Sequence, residues 1–292
     1  MPDLIGLSSI AQDALVQIAV GVGKQENVGH GIFKKVKSVF LHCEFTNLRY
    51  FIEFCYNGKH YFGYQIQPSQ ISVQEELERA LGTLLREDIK ITGAGRTDTG
   101  VHARKMFAHF DTQASLPGNL VFRLNAFLPP DIAVQQIFRV KDDLHARFDA
   151  TYRTYEYYIS QEKDPLTQDA AWQFWRKNLD VDKMNLACKI LFEYDDFESF
   201  AKVGADNKTT ICQIYRADWE YEMNLLKFTV SADRFLRNMV RAIVGTMVDI
   251  GTGRMLPEDL RKVIESKNRN AAGTSAPAHG LYLVDVGYDF EE

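Results

Sequence analysis

The stretch from Gly93 to Ala103, GAGRTDTGVHA, admits three readings, and the choice bears on the fold. It fits a dinucleotide loop, half of an aspartic-protease site, or a rigid holder for one carboxylate. A dinucleotide fingerprint needs a third glycine where this chain has Asp98, and a carboxylate there repels a pyrophosphate. The protease reading needs two carboxylates sharing one proton. This chain has one Asp-Thr-Gly tripeptide, and Arg96 stands two residues before its acid. The third reading remains. Gly93 and Gly95 allow tight turning, Arg96 brings positive charge, and Gly100 allows close approach of another group. An exposed Asp98 then suits a nucleophile or a general base, unless it is only a turn or cap residue.

The flanks supply the framework. RYFIEFCY, from Arg49, reads as a strand, with Asn57-Gly58 after it as a hairpin-type turn. SVQEELERALGTLLRE reads as a helix with a Ser72/Glu75 capping box. Val73, Leu77, Ala80, Leu81, Leu84 and Leu85 form its apolar stripe. IKIT (Ile89 to Thr92) is a short strand that delivers the chain to the loop, and KMFAHFD, IAVQQIFRV and YRTYEYYIS are further strands. A second cycle follows: the helix VDKMNLACKILF, a hairpin around Met223-Asn224, and the long helix DRFLRNMVRAIVGTMVDIG. After these come the helix PEDLRKVIES, with Pro257 in its first turn, and the closing strand GLYLVDVGY. Strands, a helix, strands, then the same again predict two α+β halves with antiparallel sheets. We place them at residues 49–155 and 156–292, with residues 1–48 belonging to neither.

A length of 292 residues suits one large domain or two linked ones, and 46% apolar with 25% charged residues is an ordinary globular composition. No apolar run is long enough for a membrane span. The segment Ala14 to Gly23 is apolar but lacks the basic flank of a signal peptide. The four cysteines, Cys43, Cys55, Cys188 and Cys212, have no CxxC spacing, which argues against a metal or redox site and suits a reducing cytoplasm. The net charge of -5 is unlike that of a dedicated nucleic-acid binder. Between Lys227 and Arg269, however, nine basic residues face five acidic ones, the clustering that a basic patch needs.

GRTDTGVHA resembles the GRTDAGVHA signature of the TruA-type tRNA pseudouridine synthases. YFGYQIQP with SVQEELERAL, HARFDATYRTYEYYI, FLRNMVRAIVGTMVDIG and APAHGLYLVDV resemble further motifs of that family, in order, from about Arg49 to Tyr288. The resemblance implies an α+β fold of two ferredoxin-like halves joined around a central catalytic cleft. It implies an isomerase that acts on uridines at positions 38–40 in the anticodon stem-loop of tRNA, with no cofactor and no metal. It also implies a cytoplasmic homodimer without membrane or DNA partners. Asp98 falls on the family's catalytic aspartate, Tyr155 on its active-site tyrosine, Arg241 on the arginine that pairs with the aspartate, and Leu281 on a leucine of the uracil pocket.

The chemistry agrees. Uracil leaves C1′, turns, and rejoins through C5, with no redox change, and a base inside a stem or loop must be extruded first. Asp98 then acts at C1′, at C6, or as a base at the ribose. Arg234, Arg237 and Arg241 fall at i, i+3 and i+7 on one helical face, opposite Met239, Ile243, Val244 and Met247. That face directs Arg241 to the cleft and Arg234 and Arg237 to RNA phosphate, unless it is a solvated charged face. Arg153, Tyr155 and Tyr157 share a strand face, where Tyr155 stacks on the flipped base and Tyr157 reads as sheet core. Arg96 is placed beside the target, where it replaces the extruded base. His102 either touches phosphate or hydrogen-bonds within the loop, and the second reading is preferred. His145 and Arg147 read as structural or as RNA-edge residues. The family's Trp and Arg after the first strand are Tyr64 and Ile66 here, and its Gln-Val after GVHA is Met106-Phe107. Residues 1–48 have no counterpart in that family and read as an extension, a partner-binding piece or translated sequence upstream of the usual start, the last being preferred.

Overall fold

Two consecutive βαββαβ units account for the regular structure of the computed structural model, which describes residues 47–205 and 208–290. The apolar segment Ala14 to Gly23, Cys43 and nearly all of the expected extension lie outside the described residues. The first unit comprises β1 (Leu48–Tyr56), α1 (Val73–Leu85), β2 (Thr92–Gly93), β3 (His102–Thr112), α2 (Leu120–Phe127) and β4 (Ile132–Arg139). The second comprises β5 (Ala150–Ser160), α3 (Val181–Leu191), β7 (Ile214–Glu222), β8 (Leu225–Ala232), α4 (Met239–Gly251) and β9 (Leu281–Tyr288). The two-residue β6 (Trp172–Gln173) pairs with β5, and α5 (Asp259–Glu265) lies between α4 and β9.

Among the described residues all nine strands form one sheet, ordered β4-β1-β3-β9-β5-β8-β7, with β2 on β3. Each unit thus has the ferredoxin-like order. The pairing is antiparallel except for β5–β6 and the seam between the units, where β3 meets β9 in parallel through His102–Tyr282 and Ala103–Leu283. At its other end β3 takes β2, at Ala108 and His109. One edge of β3 is therefore shared, and the loop from Gly93 to Val101 issues beside the seam.

Helix α1 follows its sequence signals. The Ser72 hydroxyl accepts from the Glu75 amide at 3.2 Å, and Arg86 ends the helix in the left-handed region at φ 57. Val73, Leu77, Ala80 and Leu81 are fully buried, with Phe51 and Phe54 of β1, in the first core. Phe228 and Val230 of β8 with Met184 of α3 and Ile243 and Met247 of α4 centre the second. Tyr155 on β5 packs against both.

Local expectations fail where tertiary pairing takes over. Asn57-Gly58 is not a hairpin turn: β1 pairs with β3 and β4, and Asn57 instead caps a 3₁₀ turn at Gly58–His60. Only the last residue of IKIT is in a strand. The Ile91 amide donates to the Glu78 carboxylate at 3.1 Å and its carbonyl accepts from Gln74 at 3.0 Å, so side chains of α1 replace a neighbouring strand. Helix α4 begins at Met239, not at Asp233. Asn238 lies at φ 67, which asparagine tolerates and which breaks a helix, and its amide donates to the Ser275 hydroxyl at 2.7 Å. Arg234 and Arg237 therefore project from the irregular segment before α4. Helix α5 likewise begins at Asp259, so Pro257 precedes it.

Candidate active site

The Asp98 loop is held from behind by the segment Tyr61 to Tyr64. The Tyr64 amide donates to the Thr97 carbonyl at 3.3 Å and the Gly100 amide to the Tyr61 carbonyl at 3.4 Å. Tyr56 and Thr97 share a hydroxyl hydrogen bond of 2.8 Å in the interior. Gly63 is what lets the two segments touch: its φ is 97, and a Cβ there would stand 2.5 Å from the Thr97 carbonyl oxygen. With its back fixed, the loop turns at Asp98, whose carbonyl accepts from the Val101 amide at 3.1 Å.

The Asp98 side chain meets two guanidiniums from the second unit. Arg237 Nε lies 3.4 Å from Oδ1, and Arg241 Nη1 lies 3.6 Å from Oδ2. These are ion-pair distances, longer than the 2.7–2.9 Å of a tight charge-assisted hydrogen bond. The carboxylate thus has its counter-charge and still has lone pairs for another atom. Arg241 is the better anchored. Its Nε donates to the Ala276 carbonyl at 2.7 Å, and its own carbonyl accepts from the Ala276 amide at 2.9 Å. The segment Gly273 to Ala276 approaches this closely because α4 has Gly245 at the crossing, where a Cβ would overlap the Thr274 carbonyl.

Asp98 opens into a cleft of 1870 Å³. Arg96, Arg234, Arg237, Arg241, Tyr155 and Leu281 all line it with Asp98. Tyr155 packs edge-on against Phe235, ring centres 5.1 Å apart. Burial, aided by the Asp98 charge and opposed by Arg153, pushes its hydroxyl up to about 12, so it stays protonated near neutrality. Leu281 opens β9 and is buried at the cleft wall. Among the described residues the Arg96 side chain makes no hydrogen bond or ion pair and faces the cleft.

His102 does not face the cleft. It is 3% exposed, its Nδ1 accepts from the Gly58 amide at 3.1 Å, and its Nε2 lies 3.1 Å from the His279 carbonyl. With Nδ1 accepting, Nε2 carries the proton and donates. Burial lowers the ring's pKa and keeps this tautomer neutral. His102 therefore ties the loop to the seam, and it is not among the residues that line the cleft.

Arg153 was read from the sequence only as a neighbour of Tyr155, yet it is the central brace. Its Nη1 donates to the Ala150 and Asp233 carbonyls at 2.9 and 2.8 Å. Its Nη2 donates to those of Ala94 and Arg147 at 3.1 and 2.6 Å. One side chain thus joins the Asp98 loop to the segment that carries Arg234 and Arg237. Arg147, Lys202, Lys208 and Arg269 also line the cleft, which holds nine basic residues against Asp98 and Asp233. The patch counted along the sequence is less one-sided than expected. Lys227, Arg254, Arg261, Lys262 and Lys267 are paired with carboxylates elsewhere. The cleft draws its cations from several separated segments instead. Of the two departures from the family pattern, Tyr64 is buried behind the loop and Ile66 lines the cleft, while Met106 and Phe107 are core. Among the described residues no group of three His, Cys, Asp or Glu side chains has the arrangement of a metal site.

The chain matches the family described as tRNA pseudouridine synthase over residues 54–149 and 187–289. It is 52% identical over 246 residues to the tRNA pseudouridine synthase A of Parabacteroides distasonis, covering 83% of this chain and 97% of that one. The protein of that name from Bacteroides fragilis is 51% identical over 246 residues, with the same coverage. That of Bacillus subtilis is 41% identical over 239 residues, covering 80% of this chain and 96% of the relative.

Proposed function

This chain belongs to the tRNA pseudouridine synthase family, isomerases of tRNA uridine, and from that premise we propose that Asp98 is the reacting group and the anticodon stem-loop its target. The observation that carries the proposal is the Asp98 carboxylate faced by Arg237 and Arg241 at the wall of a strongly basic cleft. The cations draw in the phosphate backbone, and the target base leaves its stack to reach Asp98. Arg96 takes the place of the extruded base. The bond between uracil N1 and C1′ breaks, the base turns, and C5 bonds to C1′. C5 loses its proton and N1 gains one, so no oxidant or reductant enters. Arg241 and Arg237 hold the carboxylate anion in position, and an arginine that does not lose its proton suits that task. The protonated Tyr155 and Leu281 bound the space for the uracil ring. We further propose a homodimer in the cytoplasm, as the family resemblance implies; sedimentation in solution tests the dimer.

Asp98→Asn keeps the shape and removes the charge. Chemical mapping of pseudouridine in unmodified tRNA should show the modification with the wild-type protein and none with the variant, while tRNA binding persists. Full activity in Asp98→Asn ends this assignment, and modification outside the anticodon arm ends the assigned target.

A further inference from the structure

We propose that Phe148, with Arg147 beside it, is a stacking platform for an unpaired nucleobase adjacent to the target uridine. The proposal rests on the RNA reading of the cleft and adds a base-binding subsite to it.

Phe148 is 74% exposed and lines the cleft. An exposed phenylalanine is commonly a mobile side chain on a loop, but this one stands on a braced turn. The His145 amide donates to the Asp149 carboxylate at 2.6 Å, and the Asp149 amide donates to the His145 carbonyl at 3.1 Å. The amides of Arg147 and Phe148 both point to His145 Nδ1, at 3.1 and 3.3 Å. The Ala146 amide donates to His109 Nδ1 at 3.1 Å, and its carbonyl accepts from the Tyr288 hydroxyl at 2.5 Å. Five residues thus present one ring in a fixed place.

One side of that ring is occupied. The His145 ring lies 4.3 Å from it, tilted by 35°, and burial with the charge of Arg49 keeps that imidazole's pKa low. The Arg147 guanidinium sits 5.7 Å from the ring centre. The ring is nevertheless 74% exposed, so apolar surface stays open beside the Arg147 cation that lies over it, in a cleft rich in cations. A planar base with a phosphate attached has the matching form, since any base offers a π face and base–aromatic stacking tolerates sequence.

The platform is also tied to the reacting loop. Arg153 Nη2 donates to the Arg147 carbonyl and to the Ala94 carbonyl. The turn bearing Phe148 and the loop bearing Asp98 therefore hang from one nitrogen. That placement assigns the platform to a base close to the one that reacts.

The test uses the full chain and an anticodon stem-loop RNA with 2-aminopurine next to the target uridine. With the wild-type protein, stacking on Phe148 quenches the probe. Phe148→Ala should leave it bright and weaken RNA binding about tenfold. Phe148→Trp should restore quenching and affinity. The logarithmic salt dependence of binding should not change in Phe148→Ala, whereas Arg147→Gln should lower its slope by about one. Phe148→Leu keeps the apolar bulk and covers the case in which the alanine variant melts early. Wild-type quenching and affinity in a folded Phe148→Ala or Phe148→Leu would overturn the platform. A wild-type protein that forms no pseudouridine in this RNA would instead overturn the target assignment, so the two failures are distinct.

Discussion

Replacing Gly63 by alanine should slow the reaction without loosening the RNA. Gly63 does not line the cleft; the side on which a Cβ would stand faces the back of the Asp98 loop, and its carbonyl accepts from the Val73 amide at 3.4 Å. A Cβ built there stands 2.5 Å from the Thr97 carbonyl oxygen, and ordinary contact begins near 3.4 Å, so the peptide before Asp98 must retreat by about 0.9 Å. The backbone gives no relief, because its φ of 97 is one that residues with a side chain rarely adopt, and such strain costs on the order of 1–3 kcal/mol. A misplacement of about 1 Å in a reacting group costs roughly a hundredfold in rate. The assay is single-turnover pseudouridine formation with enzyme in excess, well below the melting midpoint, alongside a binding isotherm. We expect a rate about a hundredfold lower and an affinity within about threefold of wild type. Gly118→Ala is the control, since nothing lies within 4 Å of a Cβ at that position. A folded Gly63→Ala protein that reacts at the wild-type rate refutes the idea that this contact places Asp98.

Arg153→Met keeps the aliphatic stem and leaves four carbonyls without their donor. Denaturant unfolding should show a loss of about 2–4 kcal/mol, and single-turnover rate should fall further than affinity. Arg153→Lys should recover part of the stability but little of the rate, because an ammonium does not reproduce the planar fork; equal recovery of both would refute the bracing role. His109 supplies a pH test. Burial first, then the charge of Arg49, lowers its pKa to about 4 from the usual 6.5, and its Nδ1 accepts from the Ala146 amide at 3.1 Å. The folded protein thus resists protonation that the unfolded chain accepts. The stabilising contribution is full above pH 6.5 and is lost as pH falls toward 4, by at most about 3 kcal/mol. In His109→Gln this component should vanish from the acid limb of stability against pH; identical limbs for variant and wild type would refute it.

The parts of the fold legible in the sequence were those with a local cause. Helix α1 has its cap and stripe within one segment, and β1 has its alternating aromatics. What was hidden depends on partners far along the chain. Asn57-Gly58 has hairpin composition, but the strand that follows in sequence is not the partner of β1. Arg234, Arg237 and Arg241 have helical spacing, but a left-handed Asn238, held by Ser275, divides them. Helix α2 was missed because it is eight residues long with only Leu120 and Leu124 buried. At the site, the resemblance alone paired Asp98 with Arg241. Arg153 gave no local signal, since its four acceptors are carbonyls whose positions only the folded chain defines.

The distribution of charge follows from building one cleft out of two units. The net charge is -5, yet the cleft has nine basic residues to two acidic ones, so the rest of the chain is more negative than the whole. A polyanion is repelled by most of that surface and drawn to one place, which steers encounter as well as strengthening binding. The two sides of the site must then keep their register, because the acid comes from one unit and its cations from the other. The parallel seam supplies this within a few residues of Asp98, where His102 pairs with Tyr282, accepts from Gly58, and donates to the carbonyl of His279. A histidine that looked available for RNA is thus, with Arg153, one of the ties that hold the two charged walls in register.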